Sequence, residues 1–326
     1  MNLLRTGAGR FIRRPEAIVL LVLIFVTLYF NYESSLFLTY NGMRNVAQAT
    51  GPTAIVAVGI VFLLVCGEID LSVGIVAALA PYLMYFAIHD WGLPAIPAIL
   101  LALVIAAGIG FANGFITMVL RVPSLITTLG TFFVLQGVLL STSKATPVPI
   151  PDETKGSLQE WLGHADWASI LWCIGIVAFF HVVFTRTRWG LHTVAVGGNL
   201  LGAAEAGVSV RRIKIGNFMI ASTLGAFAGL LEAFRINSID PNIGGGTNIT
   251  LRAIAAAVIG GTALAGGSGT VVGALLGMFV LAELQTGFNI LGFNAFTIFI
   301  YLGSAILISM IISQFLVPWL RRAGRS

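Results

Sequence analysis

Few residues in this sequence could carry chemistry. Glu68 and Asp70 stand in the stretch VCGEIDLSVG (65–74), at the seam between the apolar runs TAIVAVGIVFLLV and IVAALAPYLMYFAI. A carboxylate at the centre of a bilayer costs about 2.5–3.5 kcal/mol, whereas one at a helix N-terminus gains about 0.3–1 kcal/mol from free N–H groups and the helix dipole. Asp70, ahead of Leu71, Ser72 and Val73, therefore reads first as an N-cap accepting from the amide of Ser72 or Val73, and second as a group lining or gating a pathway. Glu68 is expected to be solvated at the membrane edge. No catalytic constellation accompanies them. His89, His164, His181 and His192 are scattered outside any H-E-x-x-H pattern, and Ser268 in GGSGT lacks the second glycine of G-x-S-x-G. None of Lys144, Lys155 and Lys214 follows a glycine, which rules out a P-loop. Cys66 and Cys173 each sit alone in apolar sequence, with no metal-ligand spacing. The sequence thus predicts no catalytic or metal site and no cofactor; if ATP drives this protein, another chain binds it.

The elements that must position these residues follow from composition. Of 326 residues 57% are hydrophobic and only 10% charged, with a mean hydropathy of +0.96, whereas soluble domains carry about 25% charged residues. The chain reads as an all-α polytopic membrane protein. Apolar runs broken at Gly, Pro and charge give about ten spans, near 15–32, 46–66, 71–88, 93–119, 124–142, 167–185, 215–234, 250–265, 270–287 and 295–317. The segments 124–142 and 250–265 are short or glycine-interrupted enough to be broken or re-entrant, which sets the range at eight to ten. Twelve of the 18 basic residues cluster in three places: Arg5, Arg10, Arg13 and Arg14; Arg186, Arg188, Arg211, Arg212 and Lys214; and Arg321, Arg322 and Arg325. Basic residues favour the cytoplasmic side, so both termini (1–14 and 318–326) and the 186–214 loop are expected there, as an even number of crossings requires. The whole chain then forms a single transmembrane domain. The opposite face carries the 143–166 loop, with three prolines and the acidic Asp152, Glu153, Glu160 and Asp166; it suits either a docking site for a soluble partner or a solvated connector.

Glycine is patterned in VIGGTALAGGSGTVVGALLG (258–277), where small residues recur at helical spacing as close helix packing in lipid requires, and GGSG (266–269) forms a turn between spans. This block, with GEIDLSVG (67–74), NGFITMVLRVPSLITTLGT (113–131) and AVGGNLLGAAEAGVSVRRIKI (195–215), resembles the permease subunits of bacterial ATP-binding-cassette importers for monosaccharides of the ribose, xylose, arabinose and rhamnose type, in the same order over nearly the whole chain. The resemblance implies a dimer with a second permease copy or a paralogue, a cytoplasmic ATPase that binds the ATP, a periplasmic sugar-binding protein, surrounding membrane lipid, and no nucleic acid. It places Gly198, Asn199, Ala203, Ala204, Glu205 and Gly207 in the segment that couples to the ATPase. Their sequence reads as a short helix in which Leu200, Ala203, Ala204 and Gly207 share one small-residue face. In two places this chain departs from ribose-type permeases: Glu68 stands where Gly is usual, and Arg252 where an acidic residue is usual.

A sugar crossing by alternating access needs hydrogen-bonding groups along an otherwise apolar path. Asn113, Thr127, Thr128, Thr131 and Gln136, with Asp70, are the candidates, although each equally suits a helix-to-helix hydrogen bond worth about 0.6 kcal/mol. Other small polar solutes (a branched-chain amino acid, a nucleoside, a signalling furanose) stay open within the importer class. An ion-coupled carrier would bury ionisable groups in mid-span, where only Glu232 and Glu283 come close, both near predicted span ends.

Overall fold

A computed structural model describes residues 15–241 and 247–294, with a few further positions up to 307. Both predicted terminal segments, with their seven arginines, and most of the predicted tenth span lie outside the described residues. The helices are α1 Pro15–Glu33, α2 Tyr40–Val65, α3 Val73–His89, α4 Ala95–Val119, α5 Ser124–Ser143, α6 Ala168–Arg186, α7 Arg188–Gly198, α8 Leu200–Glu205, α9 Val210–Ile236, α10 Thr247–Ile259 and α11 Val271–Ile290. Among the described residues seven of these (α1, α2, α4, α5, α6, α9 and α11) are long and apolar enough to cross a bilayer, and α3 and α10 are shorter apolar helices beside them. The chain is thus a multi-pass, all-α membrane protein. Segment 124–142 is one continuous helix rather than a broken one. The 250–265 segment stops at Ile259 and continues as turns to Thr270, so the glycine interruption falls at its end.

Burial sorts the helices. α2 is the axis: 89% of the residues in its apolar stretch are buried, against 22% for α1 and α5. Helices around the rim turn apolar side chains such as Phe25, Leu100 and Phe133 outward, which in a bilayer costs nothing because lipid is as apolar as they are. α9 packs along α4, α2 and α3 and joins two hydrophobic clusters, one around Phe62 and Phe218 and one around Tyr82 and Phe234.

The two ends of the bundle differ. At the first, α7, α8, the start of α9, the end of α2 and the 260–270 turn meet. At the second, the 143–166 segment folds down as a packed cover rather than a solvated connector. Within it the two-residue strand β1 (Val148–Pro149) pairs antiparallel with β2 (Ser238–Ile239). The Tyr82 hydroxyl donates to the carbonyls of Thr146 (2.7 Å) and Ile239 (3.2 Å), and Leu158 and Leu162 pack on the core. Asp166 takes Arg44 at 2.7 Å and the Tyr40 hydroxyl at 2.7 Å, tying the cover to the start of α2. Trp161 stays 74% exposed on its outer surface.

Candidate functional site

The connector 66–72 between α2 and α3 turns back into the protein. Asp70 is fully buried. Its Oδ1 accepts from the Ser72 amide (2.7 Å) and the Ser72 hydroxyl (2.6 Å). The amide bond predicted from sequence is present, but Ser72, not Asp70, occupies the N-cap position of α3 and makes no side-chain cap of its own. Asn113 on α4 donates from Nδ2 to Ser72 Oγ at 2.8 Å and, at 3.5 Å, to Asp70 Oδ2, while the Thr131 hydroxyl on α5 donates to Asn113 Oδ1 at 2.6 Å. The result is a chain of donors and acceptors linking the connector, α4 and α5. Asp70 lies in the connector rather than in a span. Burial outweighs the hydrogen bonds from Ser72 and Asn113 and pushes its carboxyl up to about 6.

α5 also grips the connector backbone. Ser124 Oγ accepts from the Ile69 amide at 3.4 Å, and Thr128 Oγ1 accepts from the Leu71 amide at 3.2 Å. Of the candidates from sequence, Asp70, Asn113, Thr128 and Thr131 are therefore brought together. Thr127 is adjacent, and its hydroxyl is buried without a partner, as is that of Thr117, one turn beyond Asn113 on α4. Gln136 lies more than a turn further along α5, half-buried and outside the network.

Glu68 is a correction. It is buried, and its carboxylate pairs with Lys214 on α9 at 2.5 Å. The reason is physical: Lys214 sits in the apolar run IKI at the start of α9, where an ammonium needs a partner, and the connector supplies one. That lysine is the signal the sequence offered. Ser72 and Ser124 carried no comparable mark.

The predicted coupling segment forms two helices at right of reach to the connector. Asn199 caps α8, its Oδ1 accepting from the Gly202 amide at 2.9 Å. The expected four-residue face is not formed. α8 ends at Glu205, and Gly207 beyond it adopts φ +83°, a left-handed conformation that closes the helix. Ala203 faces inward, clustered with Cys66, Val196 and Ile213. The outward surface is Leu200, Leu201 (73% exposed), Ala204 and Glu205. Gly198 is exposed at the end of α7, while a Cβ on neighbouring Gly197 would lie only 1.7 Å from the Val65 carbonyl oxygen, so α7 meets the end of α2 backbone to backbone. The same carbonyl accepts from the Gly267 amide at 2.8 Å, which fastens the GGSG turn to this junction.

The family described as "Branched-chain amino acid transport system / permease component" matches residues 42–314. Among curated relatives, the xylose/arabinose import permease of Sulfolobus acidocaldarius is 38% identical over 93% of this chain and 86% of its own. The ribose import permease of Escherichia coli is 34% identical over 92% and 93%. The autoinducer 2 import system permease of Photorhabdus luminescens is 34% identical over 73% of this chain and 71% of its own. No solved structure matches.

Proposed function

Because the chain belongs to the branched-chain amino acid transport system / permease component family, we propose that it is the permease subunit of an ATP-binding-cassette importer that carries a monosaccharide across the inner (cytoplasmic) membrane. The observation that carries the sugar reading is near full-length similarity to permeases named for xylose, arabinose and ribose. The buried network agrees with it. Asn113, Ser72, Thr128 and Thr131 are neutral groups that both donate and accept, as a polyhydroxy solute does, and the unpartnered hydroxyls of Thr117 and Thr127 flank them.

In this reading the ATPase is a separate chain seated on Leu200, Leu201, Ala204 and Glu205 at the cytoplasmic end, with Gly198 and Asn199 shaping the approach and Gly207 closing the helix. A binding protein delivers sugar to the 143–166 cover at the periplasmic end, and a second permease completes the translocation unit. Movement of α7 and α8 reaches the connector by two contacts: the cluster of Val196, Ala203 and Ile213 around Cys66, and the Glu68–Lys214 pair. The connector carries Asp70, so its displacement rearranges the network with Asn113 and Thr131. ATP hydrolysis thereby acts on the pathway without touching the solute.

The test is uptake of labelled D-xylose, D-ribose and L-leucine into proteoliposomes holding the permease, its ATPase and its binding protein. ATP-dependent accumulation of a sugar is expected, with none when the ATPase is omitted. Accumulation of leucine and no sugar would overturn the reading.

A further inference from the structure

We propose a second sugar-binding station, resting on the importer reading: the polar cavity at the end of the bundle covered by residues 143–166. The cavity, of about 430 Å³, lies between the first turns of α2 (Asn45, Gln48), the last turn of α9 (Arg235) and the last turns of α11 (Gln285, Thr286, Asn289). Its size falls within the range of about 300–1,000 Å³ typical of small-molecule sites. It is separate from the Asp70 network: Asn45 and Val65 mark opposite ends of α2, roughly 30 Å apart at about 1.5 Å per residue.

The chemistry of the lining selects its ligand. Four carboxamides and a threonine hydroxyl line the cavity: Asn45 and Asn289 are exposed at the bundle end, Gln48 and Gln285 are half-buried, and Thr286 is buried. Each carboxamide offers donors and an acceptor, the complement of a sugar hydroxyl. Among the described lining residues the one cation, Arg235, is paired: Glu232 takes its Nε and Nη2 at 2.9 and 2.5 Å. The carboxamide lining therefore suits a neutral polyol.

Arg252 supplies a further argument. Its Nη2 donates to Gln285 Oε1 at 2.7 Å, and a guanidinium can only donate, so the Gln285 oxygen must face Arg252 and its amide hydrogens are left to donate elsewhere. Arg252 is thus a positioning residue for a donor on the cavity wall. An acidic residue at 252 could not hold Gln285 in this orientation.

Uptake of labelled D-xylose, D-ribose and D-glucose by the complete reconstituted complex tests the assignment. Gln48→Leu and Gln285→Glu are each expected to lower the rate about tenfold, the scale of losing one or two hydrogen bonds, with the ATPase still co-purifying at wild-type amounts. Gln285→Glu discriminates, because a carboxylate satisfies Arg252 at least as well as the amide does but cannot donate; a merely structural Gln285 would tolerate it. Unchanged uptake in both variants overturns the cavity assignment and leaves the importer reading standing. A wild-type complex that accumulates none of the three sugars overturns the importer reading, and the cavity assignment with it.

Discussion

The side chains of Lys214 and Glu68 are only 8% and 11% exposed, so removing either one strands the other's charge away from water. Lys214→Met is expected to cost about 3–5 kcal/mol and to reduce the monodisperse protein recovered after mild heating in fluorescence-detected size exclusion. Lys214→Met combined with Glu68→Gln should recover most of that loss, since no uncompensated charge remains. Two residues on, Asp70 makes a pH prediction. Its carboxyl is raised to about 6 by burial, so the folded protein binds a proton there that the unfolded chain has already released. The contribution of Asp70 to stability is therefore full below about pH 4 and is lost as pH rises through about 6. Asp70→Asn abolishes this titration and keeps an oxygen for the Ser72 amide. The melting temperature of wild type relative to Asp70→Asn should fall between about pH 4 and about pH 6.5 and level off above; a constant difference across that range would show that the carboxyl does not titrate there.

Among the elements, α8 makes the most direct prediction. Ala204→Trp places a bulky ring on its outward surface, and Leu201→Asp puts a charge at its most exposed apolar position. Both should leave the permease inserted while abolishing co-purification of the ATPase and uptake together, and retention of the ATPase in both variants would remove α8 from the interface. Gly207→Trp is no longer a clean test, because φ +83° strains any side chain there. This position shows where reading from sequence stopped. Apolar runs broken at Gly, Pro and charge placed α3, α4, α5, α6 and α11 within a few residues of their observed bounds. Periodicity could not tell that α8 stops after six residues. Nor did it reveal that Tyr40–Asn45 extend α2 by nearly two turns, because Arg44, Asn41 and Asn45 look like a loop until Asp166 and the cover are known. At the site, residue type picked out Asp70, Asn113, Thr128 and Thr131. The Glu68–Lys214 pair joins residues 146 positions apart, a distance over which only tertiary structure brings partners together.

At the scale of the whole molecule, the two ends of the bundle are chemically distinct, and their sidedness can be read directly. Cys66 and Cys173 are both buried, so the wild-type chain should be silent toward a membrane-impermeant maleimide. Trp161→Cys on the cover should label in intact spheroplasts, and Leu201→Cys on α8 only after the membrane is permeabilised. The reverse pattern would invert the topology. At the first of these ends the connector 66–72 ties α3, α4, α5 and α9 together. Glu68 pairs with Lys214, Asp70 with Asn113 and Ser72, and the amides of Ile69 and Leu71 are held by Ser124 and Thr128. The side chains of Glu68, Asp70 and Ser72 and the amides of Ile69, Leu71 and Ser72 are all engaged within five residues, so adding or deleting one residue here would pull several of them off their partners at once without removing a single functional group.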